Sequence, residues 1–216
     1  MGAFGHSLAG IFPFLEPPMF YNKLDVVNRC LASVGELPVN TIENSTNPMV
    51  TTAVETLHQA TLDEQGIGWW FNTECVSLLP QTDGTYAVPT DCMSLYTMDN
   101  FNPNWLTIRG RKLYNSLGGA PYLGDRAMTV KIIRALDFED LPFNAQKLVM
   151  SATVERFLSD YDGDGQKIET AAADYQGNYA LCMADHTRSV KANMLMQGGI
   201  ATARIRQRYP TGRWRP

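Results

Sequence analysis

The sequence predicts an α+β protein. Four helices form one bundle, an antiparallel β-subdomain is inserted between the second and third helices, and an extended N-terminal arm and C-terminal tail flank the whole. Three observations carry this prediction. Apolar residues recur at helical spacing across residues 21–68, alternate with a period of about two across 69–136, and return to a period of about 3.6 across 137–186. The arm is then residues 1–20 and the tail residues 187–216.

The arm, "MGAFGHSLAGIFPFLEPPMF", is apolar, but it lacks a basic start, contains Glu16 and is broken by Pro13, Pro17 and Pro18. It therefore makes a poor signal peptide and is too short and interrupted to span a membrane. Because Met19 stands just before the first helical pattern, the arm also reads as an upstream extension of a domain beginning near residue 20. Free in solution it is expected to be disordered, and ordering it needs a surface for its phenylalanines.

In "YNKLDVVNRCLASV", Leu24, Val27, Leu31 and Val34 mark the first helix and Gly35 supplies a stop. After a loop, Asn47 as cap and Pro48 at the first helical position open the second, with Ala53, Val54, Leu57 and Ala60 on its apolar face. The glycines of "GIG" at 66–68 end it. The middle block is built of short runs, "WWFNTECVSLLP", "TYAVP", "CMSLYTM", "WLTIRGRKLYN" and "MTVKIIRAL", separated by Gly, Pro, Asn and Asp. Within it "TIRGRKLYN" reads as a hairpin turning at Gly110. Met150, Val154, Phe157, Leu158 and Tyr161 then define a third helix over about 143–160, and Ile168, Ala172, Tyr175, Tyr179, Cys182 and Met183 a fourth. Beyond Asp185 the pattern fades into the tail.

With 216 residues, 44% of them hydrophobic and 19% charged, the chain can bury a substantial core. Its four cysteines, Cys30, Cys75, Cys92 and Cys182, form no CxxC pair, lack histidines at metal-ligand spacing and sit in core-like segments, so they read as free buried thiols of a reducing compartment. The net charge of −4 hides an asymmetry. Residues 1–104 hold eleven carboxylates against Lys23 and Arg29, a net −9, whereas residues 186–216 carry five arginines beyond Gly199 plus Arg188 and Lys191, a net +7. An acidic body carries a basic tail.

The stretch "FLSDYDGDGQKIET" places Asp160, Asp162, Asp164 and Gly165 at positions 1, 3, 5 and 6 of a calcium loop. Position 12 is Ala171, where that loop needs a bidentate glutamate, and Glu169 falls two residues early on another helix face. The stretch reads instead as a helix–helix corner, with Gly163 in the left-handed position and Asp164 capping the next helix. No metal or cofactor is expected. His6, His58 and His186 have no adjacent nucleophile in a recognisable setting, and phosphate-binding and dinucleotide fingerprints are absent. The carboxylate pairs Asp63–Glu64 and Glu139–Asp140 are what a hydrolase would have to use, but such pairs are usually solvated, and no enzymatic activity is expected.

The tail is the stronger signal. In an extended strand Arg204, Arg206 and Arg208 share one side, and Arg213 with the flat anchors Tyr209 and Trp214 completes a set typical of protein interfaces. Nucleic acid is the alternative partner, opposed by the acidic body, which would repel phosphate. Carboxylates lining a channel would equally keep passing DNA from sticking.

The segments "LDVVNRCLASVGELPVNTIEN", "GWWFNTECVSLLP", "VPTDCMSLY" and "LCMADHTRSVKANML" resemble, in this order over about residues 22–199, the tail tubular protein A family of short-tailed, T7-like bacteriophages. The resemblance implies a virion protein made in the host cytoplasm, with no membrane contact. It implies a dodecameric ring, a homo-oligomer beneath the portal protein. The ring would join the portal to the nozzle (tail tubular protein B), with tail fibres nearby, and surround the DNA exit path without binding DNA specifically. On that expectation Arg204, Arg206, Arg208, Tyr209, Arg213 and Trp214 hold the portal. Arg109, Arg111 and Lys112 at the hairpin tip face the nozzle or a neighbouring subunit.

Overall fold

Asn22 begins the first helix, α1 (Lys23–Ser33), through a reciprocal cap: its Oδ1 accepts from the Asp25 N–H at 2.8 Å, and the Asp25 carboxylate accepts from the Asn22 N–H at 2.9 Å. A computed structural model describes residues 20–43, 45–97, 106–161 and 164–196, the last six as backbone only. The helix ends at Gly35, whose φ of 85° lets the Glu36 N–H reach the Leu31 carbonyl at 2.9 Å. The loop that follows is strapped to α1 by Asn28, which donates to the Val39 carbonyl and accepts from its N–H at 3.0 and 2.8 Å.

The second helix, α2 (Pro48–Gln65), starts as its residues require, with the Asn47 Oδ1 accepting from the Met49 N–H at 2.9 Å and proline in the first turn. After the β-insert, a short 3-10 turn (Phe138–Asp140) leads into α3 (Phe143–Tyr161) and α4 (Gly165–Met196). Helix α3 is the one against which α1, α2 and α4 all pack. Phe157, Leu31, Val27 and Cys30 fill the space between α1, α2 and α3, and Trp69, Phe138, Leu148 and Val149 fill the other end of the helical body. Helix α4 runs ten residues past the point where the sequence was expected to become an extended tail. The reason is intrinsic propensity: Arg188, Lys191, Ala192, Met194, Leu195 and Met196 favour helix without needing a periodic buried face, and the first glycine beyond them is Gly198.

Between α2 and α3 lie six strands: β1 (Thr73–Leu78), β2 (Cys92–Thr97), β3 (Leu106–Arg109), β4 (Lys112–Asn115), β5 (Ala120–Pro121) and β6 (Met128–Arg134). They form two small antiparallel sheets, ordered β1-β6-β2 and β3-β4-β5. The last strand is therefore the central one of the first sheet, and its Val130 and Ile132 pack with Leu78, Tyr86, Leu95 and Leu113 in a core shared with the second sheet. Arg134 clasps both edges at the helical end, with Nη1 donating to Asp91 at 2.8 Å and Nε 2.9 Å from Glu74.

Two runs behave differently from their pattern. "TYAVP" makes only isolated bridges, Thr85 to Leu123, Tyr86 to Pro80 and Ala87 to Lys112, because Pro80 and Pro89 remove the donors a ladder would need. "WWFN" precedes β1 and turns into the helical body. Trp69 is 1% exposed there, meeting Tyr179 and His186 of α4 edge-on with ring centroids 5.9 and 5.7 Å away.

The two halves meet at a buried amide knot. The Asn72 Oδ1 accepts from the Trp69 N–H at 2.8 Å, while Nδ2 donates to the carbonyls of Gln65 and Arg134, both at 3.0 Å. Gln65 repeats the arrangement, donating to the carbonyls of Thr61 and Leu136 at 3.0 and 2.9 Å and accepting from the Leu136 N–H at 2.8 Å. Both side chains are buried, so truncation leaves backbone groups with neither partner nor water. Asn72→Ala is expected to lower unfolding free energy by about 3 kcal/mol in urea titrations, a size reserved for loss of a buried network. A change below about 1 kcal/mol would show that water takes over the amide's role.

Candidate assembly surfaces

The hairpin tip follows from its turn. Pairing of Arg109 with Lys112 leaves only Gly110 and Arg111 in the loop, at φ 57° and 59°, the left-handed pair that a two-residue turn requires. Arg111 thus holds a conformation that glycine would take at less cost, and its side chain is exposed with no ion pair among the described residues. Its neighbours are partly engaged. The Arg109 guanidinium lies 4.1 Å from the centre of the Tyr114 ring, and the Lys112 ammonium is 3.2 Å from Asp83.

Asp83 is well bonded for an exposed carboxylate. The Thr85 hydroxyl and N–H donate to it at 2.6 and 2.9 Å, and these bonds, followed by Lys112, pull its pKa down to about 2. The tip is therefore one outward cation, Arg111, beside a stacked arginine and a paired lysine. The tail residues Arg204, Arg206, Arg208, Tyr209, Arg213 and Trp214 lie outside the described residues, as do residues 1–19 of the arm, His6 among them.

In the aspartate stretch, Asp160 is exposed near the end of α3, and the Asp164 Oδ1 accepts from the Gln166 N–H at 3.0 Å, capping α4. Ala171, at the position a calcium loop would give to glutamate, is buried on that helix. Asp162 and Gly163 lie outside the described residues.

The adjacent carboxylates diverge. Asp63 is exposed and accepts from Arg156 at 2.7 Å, whereas Glu64 turns inward, 6% exposed, where the Tyr175 hydroxyl donates to it at 3.2 Å. Burial raises the Glu64 pKa, with Tyr175 and Arg156 opposing; burial and the Glu64 charge push Tyr175 up to about 12. Glu139 and Asp140 are both exposed on the 3-10 turn. His58 is exposed on α2, and His186 is wedged against Trp69 and Trp70. All four cysteines are free. Cys30 and Cys182 are buried, with burial pushing both thiols up to about 12, whereas Cys75 is exposed on β1 and Cys92 half-buried. The expectation of four buried thiols fails at Cys75 because it stands on the solvent face of its sheet, paired with the exposed Lys131 of the central strand.

The sequence reading missed the apolar residues left in water at the β-end, Leu79, Leu117 and Leu123, which are 71, 66 and 62% exposed. Leu117 and Leu123 carried a signal as leucines within turn segments, whereas Leu79 closes a run that reads as a strand.

The profile of the family described as "Tail tubular protein" matches residues 24–192, from α1 almost to the end of α4. The chain belongs to the tail tubular protein family. It is also similar to tail tubular protein A of Klebsiella phage KP34, with 29% identity over 168 residues, 77% of this chain and 88% of that protein. This tail tubular protein is accordingly a structural phage tail component, and the resemblance seen in its motifs is that of its family. Among the described residues no helix is long and apolar enough to cross a membrane. The strands, the hairpin and nearly all of the four helices fall within the matched span; residues 1–23 and 193–216, with the five tail arginines beyond Gly199, fall outside it.

Glu64 gives a pH test of the helical body. An acid whose folded pKa is raised contributes stability below its unfolded value, near 4.3, and that contribution is lost as pH rises through the folded value. Glu64→Gln keeps an acceptor for Tyr175 and removes the buried charge. The variant is expected to be more stable than the parent at pH 7, with the difference closing toward pH 4, read from urea midpoints at both pH values.

Proposed function

We propose that this tail tubular protein is a head-to-tail adaptor: a ring of about twelve subunits that joins the portal to the nozzle and surrounds the DNA exit path. The observation that carries the reading is the family span. The likeness runs through the helix–sheet–helix body to residue 192 and stops short of the five arginines beyond Gly199. Within that body, residues 24–185 hold 21 carboxylates against ten lysines and arginines, a net −11. A ring of such subunits presents DNA with a surface that repels phosphate, which suits passage rather than binding.

In this reading Arg204, Arg206, Arg208, Tyr209, Arg213 and Trp214 dock on the portal, where guanidinium and aromatic groups supply the anchors. Arg109, Arg111 and Lys112 meet an acidic surface of the nozzle or a neighbouring subunit. The two-residue turn favours this, since it fixes the Arg111 backbone and leaves only the side chain to order on contact.

Mixing the protein with its portal is expected to give a ring of about a dozen copies by native mass measurement. Deleting residues 200–216 should leave the circular dichroism spectrum unchanged and abolish portal capture; normal capture removes the tail's role. Steeply salt-dependent DNA affinity of the isolated protein, with no ring on the portal, would favour a nucleic-acid-binding module instead. Reversing the hairpin charges, Arg109→Glu, Arg111→Glu and Lys112→Glu together, is expected to block tail assembly while portal capture persists. Intact assembly by that variant sinks the assignment.

A further inference from the structure

Strands β2 and β5 end their sheets with blunted edges. A bulge between Cys92 and Ser94 interrupts β2, and β5 is two residues long and ends at Pro121. Strand β1 has no such protection. It stands at the edge of its sheet, six residues long, without proline, lysine or bulge. Its one charge, Glu74, lies 2.9 Å from the Arg134 Nε of β6. The Arg134 N–H donates to the Asn72 carbonyl at 2.8 Å, and antiparallel pairing repeats that bonding at every second residue, Glu74, Val76 and Leu78. The N–H and C=O groups of Thr73, Cys75 and Ser77 therefore point away from β6, and no hydrogen bond reaches them among the described residues. Cys75 and Ser77 are exposed, so this row of donors and acceptors faces water.

We propose that β1 is a self-pairing edge: two copies of this chain join antiparallel through it, with Cys75 on the two-fold axis, and merge their three-stranded sheets into one. The side chains select a second copy and set the register. Centred on Cys75, the pairing runs from Asn72 to Leu78, sets Thr73 against Ser77 and Glu74 against Val76, and opposes no like charges. Centred on Glu74 it would oppose two carboxylates, and centred on Val76 it would leave Thr73 unpaired. The Cys75 register also brings the exposed Leu79 of each copy beside the half-buried Phe71 of the other, giving both a share of apolar contact. One strand pair is a small interface, so the dimer is weak and reversible. Neighbours in a cyclic ring are related by rotation about its axis and not by a two-fold. The dimer is therefore a form of the free protein, and it rests on no part of the adaptor reading.

The test uses the full chain carrying Cys92→Ser, which leaves Cys75 as the accessible thiol. Hydrogen-bonded partners across the axis have Cα atoms about 5.5 Å apart, within disulfide range, whereas the two copies of residue 77 are about 13 Å apart. Oxidation with copper phenanthroline is expected to link Cys75 to Cys75 at least about tenfold faster than the variant Cys75→Ser, Ser77→Cys links to itself. Mixing that variant with Cys75→Ser, Thr73→Cys is expected to give a linked heterodimer, while neither protein links alone. Ser77→Pro removes one outward N–H and none that bonds to β6. It is expected to leave the circular dichroism spectrum unchanged and to abolish the dimer in sedimentation velocity. Equal linking at 75 and 77, a mixture that fails to link, or a dimer that survives Ser77→Pro overturns the proposal. So does a monomer whose Thr73, Cys75 and Ser77 amides exchange hydrogen as freely as an unstructured chain, which would leave the edge to a strand of a different partner.

Discussion

Two buried amides hold this protein in one piece. A β-insert leaves a helical body by one strand and returns by another, and at that junction backbone groups turn away from both helix and ladder. Such groups need partners where water is excluded. Asn72 and Gln65 provide them together, binding the end of α2, the tryptophan turn and the exit of β6. Each amide offers two donors and an acceptor in a plane, which suits it to bridging three segments. The large aromatic surface of Trp69 can then be buried against α4, because its indole N–H finds the Glu64 carbonyl at 2.7 Å and its own backbone N–H finds Asn72.

A second amide does the same at the other entrance. Gln146, fully buried on α3, accepts from the Tyr21 N–H at 3.2 Å and donates to the carbonyls of Tyr21 and Phe138 at 3.3 and 3.2 Å. It ties the segment preceding α1 to the turn preceding α3. The place where the arm emerges is thus set by a core residue. The surfaces an assembly would use are arranged in the same way. The hairpin is carried on a sheet whose core includes β6, and β6 is fixed to the helices through Asn72, so Arg111 is presented by a chain of buried contacts reaching back to α3.

The elements were legible where local chemistry and burial agree. Asn47 and Asp164 cap helices because a short side-chain oxygen before an apolar period has one favourable use, and the Gly110 turn was legible because few residues tolerate its backbone angles. The exceptions have physical reasons too. "WWFN" alternates poorly and reads as the start of a strand, yet its aromatics serve the helical body, since a large side chain goes to whichever core has room. Cys75 has the pattern of a core residue and lies in water, because which face of a strand is covered is decided by the packing of the sheet and not by the strand.

By itself, then, the sequence determined the helices, the alternating strands, the hairpin and its turn, the acidic body with its basic tail, and motifs sufficient to point to the family. These depend on residues close together in the chain, where spacing and steric preference act directly. Only the tertiary structure decided that β6, last in order, stands at the centre of its sheet, that Asn72, Gln65 and Gln146 are the joints, and that α1 and α4 leave a trough over α3. Those depend on contacts 33 to 125 residues apart, and no local pattern records which distant backbone group a buried amide will meet.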